Sequence, residues 1–419
     1  MSAKGRSRAR IAPEAQRAEG SVSANVNRLI AARALRAFGD GFVSLLLPVY
    51  LIDLGYDTVT VGLVASATLV GSGAMTLAVG LTAHRYHYRV LLLVAAGMMA
   101  ATGLAFASFT QLWPLLVIAV IGTLNPSSGD VSVFLPMEHA VLARLVDDRR
   151  RTAVFARYAL AGALLAAVGS LAAGAPSLIG AWTGWSTRAC LQAMFVLYAL
   201  IGVAIALVYR GIPRNTASQA RPAAPLTQSR RAVFTLAALF SLDSFGGGFV
   251  VQSLLALWLY QRHGLSAGDA GTLFFATGVM SALSYLVAVR IARRIGLVNT
   301  MVFTHLPANL CLVAIPFAGS LPVVIALLCV RSLLSQMDVP TRNSYVMAIV
   351  TPQERPAAAS ITAVPRSLAS AASPFLAGYL LSLSTFGWPL VAAGGLKIAY
   401  DLLLLAMFRR VRPPEEIAK

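Results

Sequence analysis

Phe38-Gly-Asp-Gly-Phe-Val43, in the first apolar segment of the chain, returns almost unchanged as Phe245-Gly-Gly-Gly-Phe-Val250 in the second half. A displacement of about 204 residues also pairs Pro136 with Pro340, so the repeat extends well beyond six residues. The sequence therefore predicts two homologous bundles in one chain. A parallel repeat of this length is typical of transporter architecture.

Composition indicates an integral membrane protein. Apolar residues make up 58% of the chain, charged residues 12%, and the mean hydropathy is +0.73, far from the averages of soluble domains. Segments long enough to cross about 30 Å of hydrocarbon are predicted at roughly 27–54, 59–82, 90–109, 113–143, 152–174, 189–209, 232–260, 267–289, 297–318, 321–350, 357–383 and 388–408. The predicted fold class is an all-α membrane protein with twelve transmembrane helices in two pseudo-symmetric six-helix bundles.

The distribution of basic residues predicts the topology. Most of the 34 Lys and Arg residues lie in the terminal tails and the even-numbered connections, whereas Arg188 and Arg262 lie on the other side. By the positive-inside rule both termini are cytoplasmic, and we expect a multi-pass protein of the bacterial inner (plasma) membrane. The predicted domains are a disordered basic tail (1–26), the first bundle (27–210), a cytoplasmic linker (211–231), the second bundle (232–409) and a short cytoplasmic tail (410–419).

One loop carries a family resemblance. After the second helix the chain reads Gly80-Leu-Thr-Ala-His-Arg-Tyr-His-Tyr-Arg89, similar to the loop signature of the major facilitator superfamily, with Gly80, Arg85 and Arg89 at matching positions and His84 in place of an Asp. Two six-helix repeats joined by a long linker also resemble that superfamily. The resemblance implies a loop that latches the cytoplasmic side, which makes Gly80, Arg85 and Arg89 candidate gating residues.

Ionisable residues inside the predicted spans are functional candidates, because a charge in hydrocarbon costs roughly 2.5 to 3.5 kcal/mol on insertion scales. In the first helix, Arg33, Arg36 and Asp40 share one face, and Arg36 and Asp40 can neutralise each other across one turn. Two interpretations are open. The pair is either a structural staple, or Asp40 takes up and releases a proton as its contact with Arg36 breaks.

Two more carboxylates are candidate proton carriers. Asp130 follows Asn125-Pro126 in the fourth helix, where a proline frees a backbone carbonyl that can act as a cavity ligand or a hinge. Asp243 lies in the seventh helix, at the repeat position of Arg36. The predicted proton-coupling residues are thus Asp40, Arg36, Asp130 and Asp243.

The tenth helix carries a polar stripe that is predicted to line a central cavity. Arg331, Ser335, Asp338 and Arg342 recur at spacings that put them on one face. Arginine offers a planar fork of donors to carboxylate or phosphate, although pairing of Asp338 with either arginine inside the helix is an open alternative. The candidate substrate-binding residues are Arg331, Asp338, Arg366 and Asn125.

The other ionisable residues within the predicted spans are expected to have structural or gating roles. Glu138 and Arg342 occupy equivalent places in the fourth and tenth helices, which predicts a gate pair between the bundles in the outward-open state, with two independent solvated charges as the alternative. Lys397 and Asp401 lie one turn apart, so mutual neutralisation is expected. His305 is predicted to be a hydrogen-bonded packing residue.

These observations predict a secondary active transporter of a small organic solute that works by alternating access, with proton-coupled export as the leading interpretation. Proton-coupled uptake of an organic anion and a non-transporting sensor are the alternatives. An enzyme, a bound metal and a cofactor are not expected, because the sequence has no nucleotide-binding Gly-rich loop, catalytic triad or metal-ligand spacing. The expected partners are a small-molecule substrate, the lipid bilayer and protons, without nucleic acid, and the expected oligomeric state is a monomer.

Overall fold

A computed structural model describes residues 3–82, 85–127, 132–146, 148–213, 227–351, 354–409 and 411, with side chains at most positions from Val22 onward. This part of the chain is helical and contains no strand. The first half consists of α1 (Ala3–Asp53), α2 (Thr58–Thr82), α3 (Tyr88–Ser108), α4 (Leu112–Ile121), α5 (Phe134–Leu145), α6 (Asp148–Leu171), α7 (Ala175–Thr183) and α8 (Thr187–Arg210). The second half consists of α9 (Arg230–Gly248), α10 (Gln252–His263), α11 (Ala267–Ile295), α12 (Leu297–Ala314), α13 (Leu321–Ser335), α14 (Asp338–Ile349), α15 (Arg355–Leu383) and α16 (Trp388–Phe408).

Eight of the described helical stretches are long and apolar enough to cross a membrane, and the prediction of an all-α multi-pass protein is confirmed. The eight are Val22–Asp53, Thr58–Gly80, Tyr88–Ser108, Val154–Thr183, Thr187–Arg210, Arg230–His263, Leu297–Phe317 and Trp388–Phe408. The predicted fourth and tenth spans are each divided between two helices, of which α4 and α13 are the apolar parts. The count of twelve spans stays a prediction.

The first helix begins earlier than the sequence suggested. Helix α1 extends upstream to Ala3, over the stretch for which the sequence predicts a disordered tail. Asn25 and Val26 are already buried, so the packed part of α1 starts just before residue 27. The division of the chain into domains stays a prediction.

Two helices break where the sequence weakens them, and the breaks meet. In the second repeat α9 ends at Gly248, the last of three consecutive glycines. In the first repeat the matching residues are Gly39-Asp40-Gly41, and α1 continues through them. Each glycine costs roughly 1 kcal/mol of helix stability relative to alanine, so three together favour unwinding. After α4 the chain leaves the helix, and the carbonyl of Pro126 accepts the Ser253 N–H of α10 at 3.1 Å. This hydrogen bond joins the two halves. It forms between backbone groups that lie next to the two helix breaks.

The repeated motif packs helices backbone to backbone in both halves. A Cβ atom added to Gly41 would lie 2.2 Å from the Ala166 carbonyl oxygen of α6, and one added to Gly248 would lie 2.4 Å from the Ser370 carbonyl oxygen of α15. The two crossings are equivalent under the repeat. Small residues let helices approach closely in lipid, where apolar side chains give no hydrophobic advantage. The motif therefore sets the same helix crossing in each half.

Close contacts between the halves lie on the side of the molecule opposite the two termini. Gly62 of α2 lies against Gly378 of α15, where a Cβ atom would be 3.0 Å from the neighbouring Cα. Thr58 donates to the Gly378 carbonyl at 3.1 Å, and Ser66 accepts the Phe375 N–H at 2.9 Å. On the side of the termini, α5 packs against helices of its own half, and α14 against helices of the second half. These contacts close the side opposite the termini.

A carboxylate holds the end of the linker. Glu354, just before α15, accepts the backbone N–H groups of Thr227 at 2.5 Å, Gln228 at 2.9 Å and Ser229 at 3.3 Å. These bonds lower the pKa of Glu354 to about 2, because they favour the ionised carboxylate. Residues 214–226 of the predicted linker lie outside the described part of the chain.

We expect Gly41→Ala to destabilise the protein, because the added methyl group collides with the α6 backbone. Overpacking of this kind costs roughly 1 to 3 kcal/mol, which a lower melting temperature in detergent should report. Gly97→Ala is the matched control, since a Cβ atom there meets nothing within 4 Å and alanine favours the helix. Equal melting temperatures for the two variants would contradict the assigned crossing.

We expect the anchored end of the linker to be insensitive to pH between 7 and 5. A lowered carboxyl pKa contributes stability that is complete above its ordinary value of about 4.5 and is lost as the pH falls through about 2. Hydrogen exchange at Thr227, Gln228 and Ser229, corrected for intrinsic rates, should therefore keep its protection from pH 7 to pH 5. Glu354→Gln should lower that protection. The Thr60 amide, which Asp57 accepts at 2.8 Å, is the internal reference and should not respond to this variant.

Candidate functional site

A cavity of about 440 Å³ lies between the two halves, lined from the first half by α1, α6 and the break after α4, and from the second half by α9–α11 and α13–α15. Four arginines line it: Arg33, Arg331, Arg342 and Arg366. Hydroxyl and amide groups complete the polar lining: Ser127, Ser170, Gln252, Thr277, Ser281, Ser332 and Gln336. The described lining residues include cationic side chains and no carboxylate.

Arg331 is the cavity arginine that is available to a ligand. It makes no hydrogen bond or ion pair with any residue that the structure describes, and its Nε is buried. A buried cation without a partner is costly, and a bound anion would relieve that cost. Its planar guanidinium suits a carboxylate or phosphate group. The structure thus puts Arg331 in the cavity, as predicted, and its role in binding substrate stays a prediction.

The first half contains a sealed ion pair. Arg36 Nη2 of α1 lies 2.7 Å from Glu138 Oε2 of α5, and the side chains are 2% and 0% exposed. Tyr209 donates to Glu138 Oε1 at 2.6 Å, Tyr158 donates to Oε2, and the ring of Phe134 lies 4.4 Å from the guanidinium carbon. Each carboxylate oxygen therefore has charged or hydroxyl donors, as a buried charge requires.

The predicted pairing of Arg36 with Asp40 is wrong. Arg36 bonds to Glu138, because α5 presents that carboxylate together with its tyrosine partners directly to the guanidinium. Asp40 is buried and accepts a hydrogen bond from the Tyr198 hydroxyl at 3.4 Å, and that hydroxyl also lies 3.2 Å from the Thr123 carbonyl. Asp40 does not belong to the described lining of the cavity. Its role in proton coupling stays a prediction.

The second half contains the same ion pair with its polarity reversed. Arg342 of α14 bonds to Asp243 of α9 at 3.1 Å. Under the repeat Asp243 stands where α1 has Arg36, and Arg342 stands where α5 has Glu138. Arg342 also lies 3.4 Å from Asp338, one turn earlier, so the open alternative of pairing within the helix holds for these two residues.

This second pair belongs to a larger buried network. Lys397 Nζ of α16 lies 2.6 Å from Asp243, and His305 Nδ1 of α12 lies 2.9 Å from Asp401. Asn309 donates to Asp401 at 2.9 Å. The expected mutual neutralisation of Lys397 and Asp401 is therefore wrong, because each meets a closer partner on another helix. His305 is hydrogen-bonded as expected, but it lies among charges.

The predicted gate pair is not closed in this structure. Glu138 bonds to Arg36 and Arg342 bonds to Asp243, each within its own half. Arg342 lines the cavity, whereas Glu138 is fully buried. The prediction concerned the outward-open state, so a gate between Glu138 and Arg342 stays a prediction for that state.

The predicted stripe of the tenth span is interrupted. Helix α13 ends at Ser335 and α14 begins at Asp338, and the turn between them changes which side chains face the cavity. Arg331, Gln336 and Arg342 line the cavity, whereas Ser335 and Asp338 do not belong to the described lining. Asp338 instead lies beside Arg342, where it holds that arginine.

Two further substrate candidates have different surroundings. Arg366 lines the cavity from α15. Asn125 is 2% exposed and accepts the Ser127 N–H at 3.1 Å and the Ser127 hydroxyl at 2.8 Å, so it stabilises the break after α4 and is not part of the described lining. Of these two, only Arg366 reaches the cavity.

Some predicted residues stay untested. Asp130 and His84 lie outside the described residues. Gly80 and Arg85 are exposed at the end of α2 and in the following loop, and Arg89 is half-buried in the first turn of α3. The latch that the family resemblance implies for Gly80, Arg85 and Arg89 therefore stays a prediction.

Several residues of the site were not selected from the sequence. Gln252 donates to Ser170 at 3.3 Å across the cavity floor, and both residues line the cavity. Tyr158 and Tyr209 donate hydrogen bonds to Glu138. A tyrosine within a predicted span is the sequence feature that could have indicated them, because a buried hydroxyl needs a partner. For Gln252, the sequence feature that could have indicated a role is its position shortly after the three consecutive glycines.

Comparison with known proteins identifies the family of this chain. A sequence model of the Major Facilitator Superfamily matches residues 29–332 and 244–419. The protein named "Uncharacterized membrane protein YJR124C" of Saccharomyces cerevisiae is 24% identical over 92% of this chain and 94% of its own length.

Solved structures share the fold. The nucleoside transporter NupG has a TM-score of 0.69 at 13% identity, covering 92% of this chain and 99% of its own. The human organic anion transporter MFSD10 has a TM-score of 0.66 at 18% identity, covering 91% and 99%. A bacterial homolog to the human lysosomal transporter Spinster, in an inward-facing and unoccupied conformation, has a TM-score of 0.66 at 11% identity, covering 92% and 95%. At these identities the likeness concerns the fold alone.

A double-mutant cycle should find strong coupling between Arg36 and Glu138. Removing one partner leaves a buried charge, at a cost of roughly 3 to 5 kcal/mol, whereas removing both leaves none. We therefore expect Arg36→Gln and Glu138→Gln each to lower the unfolding free energy, and the double variant to lower it by clearly less than the sum of the two single effects. The control cycle pairs Glu138→Gln with Arg342→Gln and should be nearly additive. Larger coupling in the control cycle would overturn the assigned partners.

Proposed function

This chain belongs to the major facilitator superfamily, and from that premise we propose that it is a secondary transporter that moves a small organic anion together with a proton by alternating access. The observation that carries the proposal is the arginine-lined cavity between the halves, in which Arg331 has no described protein partner.

The charge of the lining supports an anion as substrate. Four guanidinium groups face about 440 Å³ of space, and no carboxylate faces it among the described residues. A carboxylate or phosphate can take two parallel hydrogen bonds from the guanidinium of Arg331, which has no described partner. The fold shared with a human organic anion transporter is compatible with this substrate class.

The contacts between the halves support alternating access. Glycine-mediated packing closes the side opposite the termini, while α5 and α14 pack within their own halves on the side of the termini. With cytoplasmic termini, which the positive-inside pattern supports, this conformation faces the cytoplasm. Rocking of the two halves about the central cavity would then expose it to the other side.

The position of Arg342 supports movement of the proton and the anion in the same direction, which is symport. Arg342 lines the cavity and is also bonded to Asp243 and Asp338. A proton that joins this acidic group weakens its hold on Arg342 and leaves the guanidinium for the anion. Proton binding and anion binding then favour each other, which is the requirement for symport. This favours proton-coupled uptake over export by antiport.

The test is transport in proteoliposomes under an inward proton gradient. The panel is acetate, benzoate, succinate and glycerol 3-phosphate as anions, tetraethylammonium as a cation and glycerol as a neutral compound. We expect gradient-driven uptake of at least one anion and none of tetraethylammonium. Proton efflux during anion uptake would indicate antiport, and binding without flux would indicate a sensor.

Arg331→Gln should lower uptake of that anion by about tenfold or more, since a charged hydrogen bond is worth roughly 1.5 to 3 kcal/mol. Arg331→Lys should recover part of it, because the charge is kept and the fork is lost. The matched control is Arg157→Gln, at an exposed arginine of α6 outside the described cavity lining. Uptake that is equally reduced in Arg157→Gln, or unchanged in Arg331→Gln, would contradict the proposal.

A further inference from the structure

The buried network of the second half holds one histidine among its charges. His305 of α12 is 3% exposed, and groups from four helices face it. They are Asp243 of α9, Asn309 of α12, Asp338 and Arg342 of α14, and Lys397, Tyr400 and Asp401 of α16. We infer that His305 is the group that carries the coupled proton, an inference that rests on the transporter function proposed above.

The hydrogen bonds of the imidazole leave one nitrogen for that proton. Nδ1 lies 2.9 Å from Asp401 Oδ1, a distance that requires one proton between the two atoms. Nε2 lies 3.9 Å from Asp243 Oδ1. A second proton on Nε2 would point an N–H at that carboxylate. The imidazolium would then be hydrogen-bonded to Asp401 and ion-paired with Asp243.

The charge balance of the network calls for that second proton. Three carboxylates, Asp243, Asp338 and Asp401, face two permanent cations, Arg342 and Lys397. With a neutral imidazole the described network keeps one uncompensated negative charge away from bulk water, which is costly. Protonated His305 brings its net charge to zero.

The ion pair of the first half has no such requirement. Arg36 and Glu138 balance each other, their side chains are 2% and 0% exposed, and two tyrosine hydroxyls complete the carboxylate. In the second half the side chains of Asp243 and Arg342 are 9% and 8% exposed, and Arg342 lines the cavity. The network with the odd charge is therefore also the one whose edge reaches the cavity.

Protonation of His305 has a consequence at the substrate site. Asp243 Oδ1 lies 2.6 Å from Lys397, and Asp243 Oδ2 lies 3.1 Å from Arg342. Protonated His305 Nε2, 3.9 Å from Oδ1, would put a third cation beside this carboxylate. Of the two cations already bonded to Asp243, Arg342 is the less closely held, and it can turn toward an anion in the cavity. In this arrangement the proton binds to His305 outside the cavity, and the anion binds to Arg342 inside it.

The test separates exchange from proton-driven accumulation in proteoliposomes, with the panel anion that shows the largest wild-type flux. Exchange of labelled for unlabelled anion needs no net proton release, whereas accumulation does. Electroneutral symport of a monovalent anion allows accumulation of about tenfold per pH unit. We expect His305→Gln still to exchange the anion while its accumulation ratio falls to about one. His139→Gln, at a histidine that packs 5.2 Å from Tyr158 in the first half, is the matched control and should accumulate like the wild type.

The other outcomes are decisive as well. Proton-driven accumulation by His305→Gln at the wild-type ratio would overturn the inference, and so would loss of exchange together with accumulation in a folded His305→Gln protein. If that variant does not fold, Asp401→Asn decides, because two carboxylates then balance two cations without a proton. Retained proton-driven accumulation in Asp401→Asn would overturn the inference.

The failure of the proposed function can be distinguished from the failure of this inference. A wild-type protein that exchanges no panel anion would refute the proposed function only. The charge state of His305 is read separately from ¹⁵N-histidine spectra of the full-length protein in nanodiscs between pH 5 and 9. We expect one buried imidazole to gain a second proton in that range, in the wild type and in His139→Gln. An imidazole that keeps one charge state throughout would overturn the inference.

Discussion

A buried ion pair between the first and fourth predicted spans of each half is the constraint on which the rest depends. A lone charge at this depth costs several kcal/mol, so each arginine has to meet its carboxylate on the neighbouring helix. Arg36 meets Glu138 at 2.7 Å, and Arg342 meets Asp243 at 3.1 Å. Beside each pair, the repeated glycines pack α1 against α6 and α9 against α15 backbone to backbone. Packing and electrostatics therefore specify the same arrangement twice.

The halves differ in what surrounds the pair. Tyrosine hydroxyls complete Glu138, which leaves that pair balanced and sealed. Asp243 is shared by Arg342 and Lys397 and approached by His305, so its bonds can be redistributed without leaving a carboxylate unpaired. A balanced pair serves as a rigid reference, whereas a shared carboxylate can respond to a proton. The repeat thus supplies a balanced pair in one half and a shared carboxylate in the other.

The sequence predicted the all-α architecture, the repeat and the presence of Arg331 in the cavity, because periodicity and hydropathy survive small errors in helix rotation. It did not predict partners. Arg36 and Asp40 share a helix face, yet the nearer carboxylate comes from α5, and sequence spacing within one helix carries no information about that neighbour. The same reason explains why Lys397 meets Asp243 rather than Asp401. The turn between α13 and α14 removed Ser335 and Asp338 from the described cavity lining, since a shift of one residue rotates a helix face by about 100°.

The reversed polarity links the two properties proposed for the site. In the second half the arginine of the pair stands on α14, which lines the cavity, and the carboxylate stands on α9, where Lys397 and His305 reach it from behind. With the polarity of the first half, a glutamate would stand at the cavity wall and would repel an anion. The exchange of acid and base therefore does two things at once. It adds a cation to the proposed substrate site, and it puts the acid that holds this cation next to His305.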